Sequence, residues 1–88
     1  MPWKSESDVI AGKLLREVLR EVRVAGRLNQ AELAKQMGTY PSFVSKYESG
    51  ERRLDVIEMR RVCAALGTNI TRVLKELDRR LAEQCHAP

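Results

Sequence analysis

Apolar residues recur along the chain at spacings of three and four, the pattern of amphipathic helices. No stretch alternates apolar and polar residues as a half-buried strand does. The first apolar stripe follows a Ser5-x-x-Asp8 capping pattern, which predicts a helix from Ser7 or Asp8 to about Ala25, broken by Gly26. The apolar face of this helix is formed by Ile10, Leu14, Leu15, Val18, Leu19 and Val22.

A second, short helix is predicted after Asn29, which is a good N-cap residue. Leu33, Ala34 and Met37 share one face of it. Gly38 follows at once, where a residue with positive φ usually ends a helix. Because Ala34 is small, we expect a third helix to approach it closely at a steep angle after a tight turn.

The third helix is predicted from Pro41 to about Glu48, because proline suits a first helical position. Tyr40 would then be the N-cap. Val44 and Tyr47 share the face that packs against the second helix. The outward face carries only polar residues, namely Ser42, Ser45 and Lys46. A helix with hydroxyls and a cation on its outer face suits the major groove of DNA.

Two more helices are predicted in the last third of the chain. Asp55-x-x-Glu58 caps a fourth helix, which stops at Gly67, and Asn69 caps a fifth. The fifth helix carries a coiled-coil-like seam in which apolar residues are spaced by four, three and four, namely Ile70, Leu74, Leu77 and Leu81. Leu74 is partly shared with the core. Leu77 and Leu81 lie beyond it, so the seam is either a dimer interface or the apolar side of a frayed tail.

Length and composition indicate one small all-α domain of 88 residues. We divide it into a flexible N-terminal extension (1–7), a helical domain (8–84) and a C-terminal tail (85–88). No apolar stretch of about 18 residues is present, and the N-terminus lacks the apolar core of a secretory signal, so a cytoplasmic protein is expected. Cys63 is predicted to be a small core residue. Cys85 and His86 lack further ligands, so neither a metal nor another cofactor is expected.

The net charge of +4, from 16 Lys and Arg against 12 Asp and Glu, is a weak sign of nucleic-acid binding on its own. The distribution of charge along the chain is a stronger sign, because residues 27–53 contain five basic residues and three acidic ones. Catalysis has little support: the only His is His86, and no phosphate-cradling glycine-rich loop occurs. A DNA-binding protein that is not an enzyme is therefore predicted.

Several motifs together resemble the lambda-repressor-like (Xre-type) helix-turn-helix regulators. They are LREVR (19–23), LNQAELAKQMG (28–38), FVSKYESGERRLD (43–55) and ALG (65–67). The resemblance runs from about Leu14 to Leu77. It implies a compact five-helix DNA-binding domain with the helix-turn-helix at helices 2 and 3.

The resemblance also implies roles for single residues. Gln30 would hold a DNA phosphate at the N-terminus of the second helix and brace the third helix, which is the recognition helix of the family. Alternatively, Gln30 is simply a solvated first-turn residue. Glu48 would pair with Arg23, or it is exposed at a helix end, where the helix dipole disfavours a carboxylate. Phe43 would pack on the second helix, or it contacts a thymine methyl group.

The expected DNA contacts fall into two sets. The base-reading residues are Tyr40, Pro41, Ser42, Ser45 and Lys46. The phosphate-binding residues are Arg27, Asn29, Gln30, Arg52 and Arg53. The family usually carries Ser, Thr or Pro where Tyr40 stands, often a base-reading Gln in place of Pro41, and more often Gly in place of Arg27. The family pattern therefore does not predict which bases this chain reads.

Two functions remain open from the sequence. The first is a bacterial or phage transcriptional regulator that binds double-stranded DNA as a homodimer and represses a palindromic operator, through a dimer interface of Leu74, Leu77 and Leu81. The second is an antitoxin or adaptor module that acts mainly through a toxin or other protein partner. A steep salt dependence of duplex binding would favour the first, and co-purification with a stoichiometric partner would favour the second.

Overall fold

The computed structural model describes residues 5–84, so the predictions on Cys85 and His86 lie outside the described residues. All regular structure in this range is helical, as the sequence predicts. The five helices are α1 (Glu6–Ala25), α2 (Gln30–Met37), α3 (Ser42–Ser49), α4 (Val56–Ala65) and α5 (Ile70–Gln84).

Capping boxes begin three of the helices. Ser5 caps α1, and its hydroxyl accepts from the Asp8 N–H while the Asp8 carboxylate accepts from the Ser5 N–H. Helix α1 therefore starts one or two residues before the predicted Ser7 or Asp8, because Ser5 is the cap itself. Residues 5–7, which the sequence placed in a flexible extension, form this cap and the first turn. Asn29 with Glu32, and Asp55 with Glu58, cap α2 and α4 in the same way.

The core lies where α1, α2, α3 and α4 meet, and α5 closes it. Its fully buried side chains are Leu19, Leu33, Ala34, Val44, Tyr47, Val62 and Cys63. Cys63 is buried as predicted, and burial raises the pKa of its thiol. Most of the folding free energy comes from removing this apolar surface from water, since helices of eight to ten residues are marginal alone.

Helix α5 runs antiparallel along α1. Val73 lies near Val22 at one end of the pair, and Gln84 lies near Leu14 at the other. Leu77 and Leu81 are consequently half-buried within the chain itself, whereas the sequence-based argument placed them beyond the domain core. The reason is the length of α1: twenty residues rise about 30 Å, so its N-terminal half reaches alongside the end of α5.

The end of α1 adopts an unusual backbone. Arg27 has φ +60, while Gly26 before it has φ −81. The left-handed residue that terminates the helix is thus Arg27, and the Leu28 N–H donates to the Arg23 carbonyl around it. A residue with a β-carbon pays about 1–2 kcal/mol for this conformation.

Candidate nucleic-acid interface

Helices α2 and α3 form the helix-turn-helix. Gly38 has φ +72 and ends α2, as its position predicts. Ala34 of α2 and Val44 of α3 are both fully buried. Their small volumes let the backbones of the two helices approach closely. Helix α3 begins at Ser42, one residue later than predicted, with Pro41 at the cap position and no side-chain cap. The N-terminal end of α3 therefore has no capping side chain of its own.

The outward face of α3 holds the predicted base-reading residues. Tyr40, Pro41, Ser42 and Lys46 are exposed, and Ser45 is half-buried. The Ser45 hydroxyl donates to the Ser42 carbonyl at 3.1 Å, so it retains only acceptor capacity. Lys46 has one acidic neighbour, Glu51, at 3.9 Å, and both side chains are well exposed.

Tyr40 and Phe43 form an aromatic corner at the start of α3. Their rings meet edge to face with centroids 6.0 Å apart. Phe43 is itself buried and makes a second edge contact with Tyr47 at 5.8 Å. Phe43 is thus packed in the protein, which is one of the two roles predicted for it. Its ring lies against the Tyr40 ring and supports it.

Arg23 and Glu48 meet behind the recognition helix. The Arg23 guanidinium donates to both Glu48 oxygens, at 2.7 and 3.0 Å, and to the Leu28 carbonyl at 2.8 Å. The side chains are only 9% and 5% exposed. The bidentate contact with Glu48 raises the pKa of Arg23. Gln30 donates its amide to Glu48 at 2.9 Å, so one carboxylate joins α1, α2 and α3.

Arg52 is paired within its own domain, although its side chain is still 34% exposed. Its guanidinium donates to both Glu58 oxygens, at 3.0 and 2.6 Å, and to the Arg53 carbonyl at 3.0 Å. It also lies 4.6 Å from the centre of the Phe43 ring. This ion pair, together with the capping hydrogen bond to Asp55, lowers the pKa of Glu58 to about 2.

The other predicted phosphate-binding residues are arranged differently. Arg27 and Arg53 are exposed, and neither has a carboxylate partner among residues 5–84. The Asn29 side chain is occupied as the α2 cap, where it accepts from the Glu32 N–H at 2.7 Å. Arg27 and Arg53 are thus the cations of this set whose charge the fold does not use.

Sequence reasoning missed two supports of this region. Glu58 was assigned only a capping role, although it also anchors Arg52 across the turn between α3 and α4. Arg61 on α4 donates to the Met37 carbonyl at the end of α2. Neither contact follows from helical periodicity, because both join residues of different elements.

The predicted dimer residues lie on one side of α5. Leu74 is 40% exposed, whereas Leu77 and Leu81 are half-buried against the chain. Arg80 fastens this part of α5 to α1 through a bidentate contact with Glu21, at 3.1 and 2.7 Å. Val9 and Ile10 are exposed near the start of α1. Exposed apolar side chains near this seam therefore occur on both α1 and α5.

Other site types find no support in the part of the chain that the structure describes. Within residues 5–84, no group of three or more His, Cys, Asp or Glu side chains is placed to hold a metal ion. In the same range, no helix is long and apolar enough to cross a membrane.

Comparison with known proteins gives a family. The HTH_3 helix-turn-helix family model matches residues 19–73. A solved structure of an XRE-family like protein from Pseudomonas syringae is 40% identical, with a TM-score of 0.79 over 83% of this chain and 89% of that one. The clp gene regulator ClgR from Corynebacterium glutamicum is 28% identical, with a TM-score of 0.74 over 84% and 79%. No protein among the curated sequences compared is significantly similar.

The matched segment covers more than half of the chain and contains both helices of the helix-turn-helix with their flanking supports. The family assignment therefore rests on the same residues that form the exposed face of α3 and the joint behind it. This chain belongs to the lambda-repressor-like (Xre-type) helix-turn-helix family, and it is a DNA-binding transcription regulator.

Proposed function

We propose that this regulator is a homodimeric repressor that reads a palindromic operator, with α3 of each copy in the major groove. The observation that carries the proposal is the contrast on α3. Its inner face is buried in the core, while Tyr40, Ser42 and Lys46 on its outer face are exposed. We place the protein in the cytoplasm, where it would meet chromosomal DNA.

Base readout would centre on Lys46 and Ser42. The Lys46 ammonium can donate to O6 and N7 of a guanine, and the Ser42 hydroxyl can donate or accept. The Ser45 hydroxyl can only accept, because it already donates to the Ser42 carbonyl. Tyr40 and Pro41 would enter the groove at the N-terminal end of α3, with the Tyr40 ring held by Phe43.

Phosphate binding would flank this helix on both sides. The start of α2 offers Asn29, Gln30 and the positive end of the helix dipole. Arg27 and Arg53 add exposed cations. Arg52 would act mainly by orienting this region, since its guanidinium is paired with Glu58. We therefore assign the larger phosphate role of the two neighbouring arginines to Arg53.

Dimerisation would use the apolar surface shared by α1 and α5. Leu74 is exposed and Leu77 and Leu81 are half-buried on α5, while Val9 and Ile10 are exposed near the start of α1. A second copy on a two-fold axis would cover this surface and set two α3 helices on half-sites about 34 Å apart.

A second candidate function is that of an antitoxin or adaptor. The observation that favours it is on α4, where Val56 and Ile57 are each 66% exposed. Two adjacent apolar side chains at this exposure suit a protein partner. The two functions are compatible, because α4 and α3 present different surfaces.

The test begins with selection of the operator from random duplex DNA and sedimentation of the protein with and without it. We expect a palindromic site bound by two copies, and lower expression from a promoter that contains it. Leu77→Glu with Leu81→Glu should give a helical monomer that binds weakly. Arg72→Gln with Lys75→Gln changes the net charge equally on the solvent side of α5 and should stay dimeric. A double Leu variant that still sediments as a dimer would disprove the interface.

A further inference from the structure

A cleft of about 410 Å³ lies between the N-terminal half of α1 and the turn that follows α3. Its floor is apolar and is formed by Leu15, Leu19, Tyr47 and Leu54. Its rim carries Arg16 from α1 and Arg53 from the turn. The volume falls in the range of about 300–1,000 Å³ that small-molecule sites occupy.

Arg16 spans this cleft between two glycines. A β-carbon at Gly50 would lie 3.0 Å from the Arg16 Cζ, and one at Gly12 would lie 3.5 Å from its Nη1. The missing side chains let the guanidinium rest against both backbones. Arg16 forms no ion pair or hydrogen bond with another side chain of residues 5–84, so its donors face no anion.

The one carboxylate on the cleft wall is engaged in a helix cap and forms no ion pair with Arg16. Asp8 lines the cleft, but its carboxylate accepts from the Ser5 N–H at 3.0 Å and from the Ser5 hydroxyl at 3.1 Å. The Tyr47 hydroxyl is a further unsatisfied group, since it is fully buried and has no hydrogen-bond partner within residues 5–84. An apolar floor under two cations, whose one carboxylate neighbour is held in a helix cap, is complementary to an amphipathic anion.

We propose that this cleft binds a small amphipathic carboxylate, with its apolar body on Leu15 and Leu54 and its carboxylate on the Arg16 guanidinium, and that binding lowers DNA affinity. A planar guanidinium can hold a carboxylate through two parallel hydrogen bonds. The regulatory half of this proposal rests on the proposed DNA-binding role of Arg53.

The cleft is placed to influence DNA binding because it shares Arg53 and Gly50 with the end of the recognition helix. A carboxylate near Arg53 would offset the charge that otherwise attracts a phosphate. Reciprocally, bound DNA would lower the affinity of the cleft for the carboxylate by the same factor.

The first experiment tests the cleft alone, by amide chemical shifts of the ¹⁵N-labelled full chain. The probe is 3-phenylpropionate, with 3-phenylpropanamide and acetate as controls for its apolar and charged parts. We expect saturable shifts at Gly12, Leu19 and Gly50 with a dissociation constant in the low millimolar range, and none with the controls. Absence of saturable shifts with 3-phenylpropionate, or equal shifts with 3-phenylpropanamide, would overturn the proposal.

Variants locate the carboxylate. Arg16→Gln should weaken binding of 3-phenylpropionate about tenfold, and Arg16→Lys, which keeps the charge, should weaken it less. Arg20→Gln, one turn further on α1 and outside the cleft, is the matched control and should bind as the original chain does. If Arg16→Gln binds with unchanged affinity, the carboxylate does not sit on Arg16.

The second experiment tests the coupling with the selected operator duplex, by fluorescence anisotropy at fixed ionic strength. We expect 3-phenylpropionate to weaken DNA binding by the original chain and not by Arg16→Gln, while sodium acetate at the same concentration leaves both unchanged. If 3-phenylpropionate shifts the amide signals of the free protein but leaves the operator affinity unaltered, the proposed effect of the ligand on DNA binding is disproved. Failure to bind any duplex would contradict the proposed function and leave the cleft result standing.

Discussion

The cations behind the recognition helix and those in front of it differ in what they contact. Behind it, Arg23 is bound to Glu48, and in the turn that follows it Arg52 is bound to Glu58, each through two hydrogen bonds. In front, Lys46 has only a distant contact with Glu51, and Arg53 has no carboxylate partner among residues 5–84. The proposed DNA interface therefore differs from its supports in having cations that the fold does not neutralise, a difference that the net charge of the chain does not show.

The two groups also differ in how their charges act. A buried pair such as Arg23–Glu48 is costly to break, because the remaining charge stays out of water. An exposed cation such as Arg53 contributes little to folding, yet it can release counterions when it meets a phosphate. Substitutions behind α3 should thus change stability, and substitutions in front should change binding.

The largest expected effect comes from breaking the ion pair between Arg23 and Glu48 behind α3. Arg23→Met or Glu48→Gln should lower the free energy of unfolding by about 3–5 kcal/mol, because each leaves a buried charge without its partner. Arg23→Met combined with Glu48→Leu should cost much less than the sum of the single changes. Denaturant unfolding of the original chain, Arg23→Met, Glu48→Leu and the double variant in a double-mutant cycle measures this. The exposed pair Arg79–Glu83 is the control and should show little coupling. Additive losses at Arg23 and Glu48 would refute the energetic coupling.

The next effect is on base reading. Lys46→Ala should weaken operator binding by about 1–3 kcal/mol and relax the preference at one base pair, while the melting temperature stays unchanged. Binding to the operator and to single-base variants of it gives both quantities. An equal loss for every sequence would make Lys46 a phosphate contact instead.

Substitutions of the neighbouring residues Arg52 and Arg53 should differ in their effects on stability and on DNA binding. Arg53→Ala should reduce the slope of log affinity against log salt by about one unit with little change in stability. Arg52→Ala should lower the melting temperature, because it removes the contacts with Glu58 and Phe43. Its salt slope should change less than that of Arg53→Ala. Equal slopes for the two variants would place both guanidinium groups on DNA.

The pH dependence of stability in acid should depend on the Arg52–Glu58 ion pair. The pKa of Glu58 is lowered from 4.5 to about 2 in the folded state, so its contribution is complete above about pH 4.5 and is lost as the pH falls through about 2. Arg52→Ala should therefore lose less stability than the original chain between these values. Thermal melting across this range tests it, with Arg60→Ala on the exposed side of α4 as control. Parallel pH curves would show that the pair is not formed.

Local signals predicted the fold well, because helix ends and periodic faces depend on neighbouring residues. Asn29, Asp55 and Gly38 each mark a helix end where the structure has one. The contact between Arg23 and Glu48 could be anticipated only through the family resemblance, since 25 residues separate them.

The contacts that sequence reasoning missed depend on how the elements pack. Arg52 was predicted to bind a DNA phosphate from an exposed turn, and nothing in the spacing indicates that its guanidinium also contacts Glu58 and Phe43. The half-burial of Leu77 likewise depends on how far α1 reaches along α5. Periodicity identifies the apolar face of a helix, but it does not say whether the same chain or another copy covers that face.

The smallest expected effect concerns Arg27, an exposed cation that also terminates α1. Its backbone is in the left-handed region, at φ +60, where a β-carbon is unfavourable. Arg27→Gly should therefore raise the free energy of unfolding by about 0.5–1 kcal/mol, the relief of strain being partly offset by the greater chain entropy of glycine when unfolded.

The same substitution separates the two roles of Arg27. Arg27→Gly and the control Arg27→Ala both remove the charge, but only the glycine variant relieves the backbone. If Arg27 contacts a phosphate, both variants should lower the salt slope by about one unit, while only Arg27→Gly gains stability. Denaturant unfolding and salt-dependent duplex binding give the two measurements. A glycine variant less stable than the alanine variant would show that the left-handed backbone carries no strain, and an unchanged salt slope in both would remove Arg27 from the DNA interface.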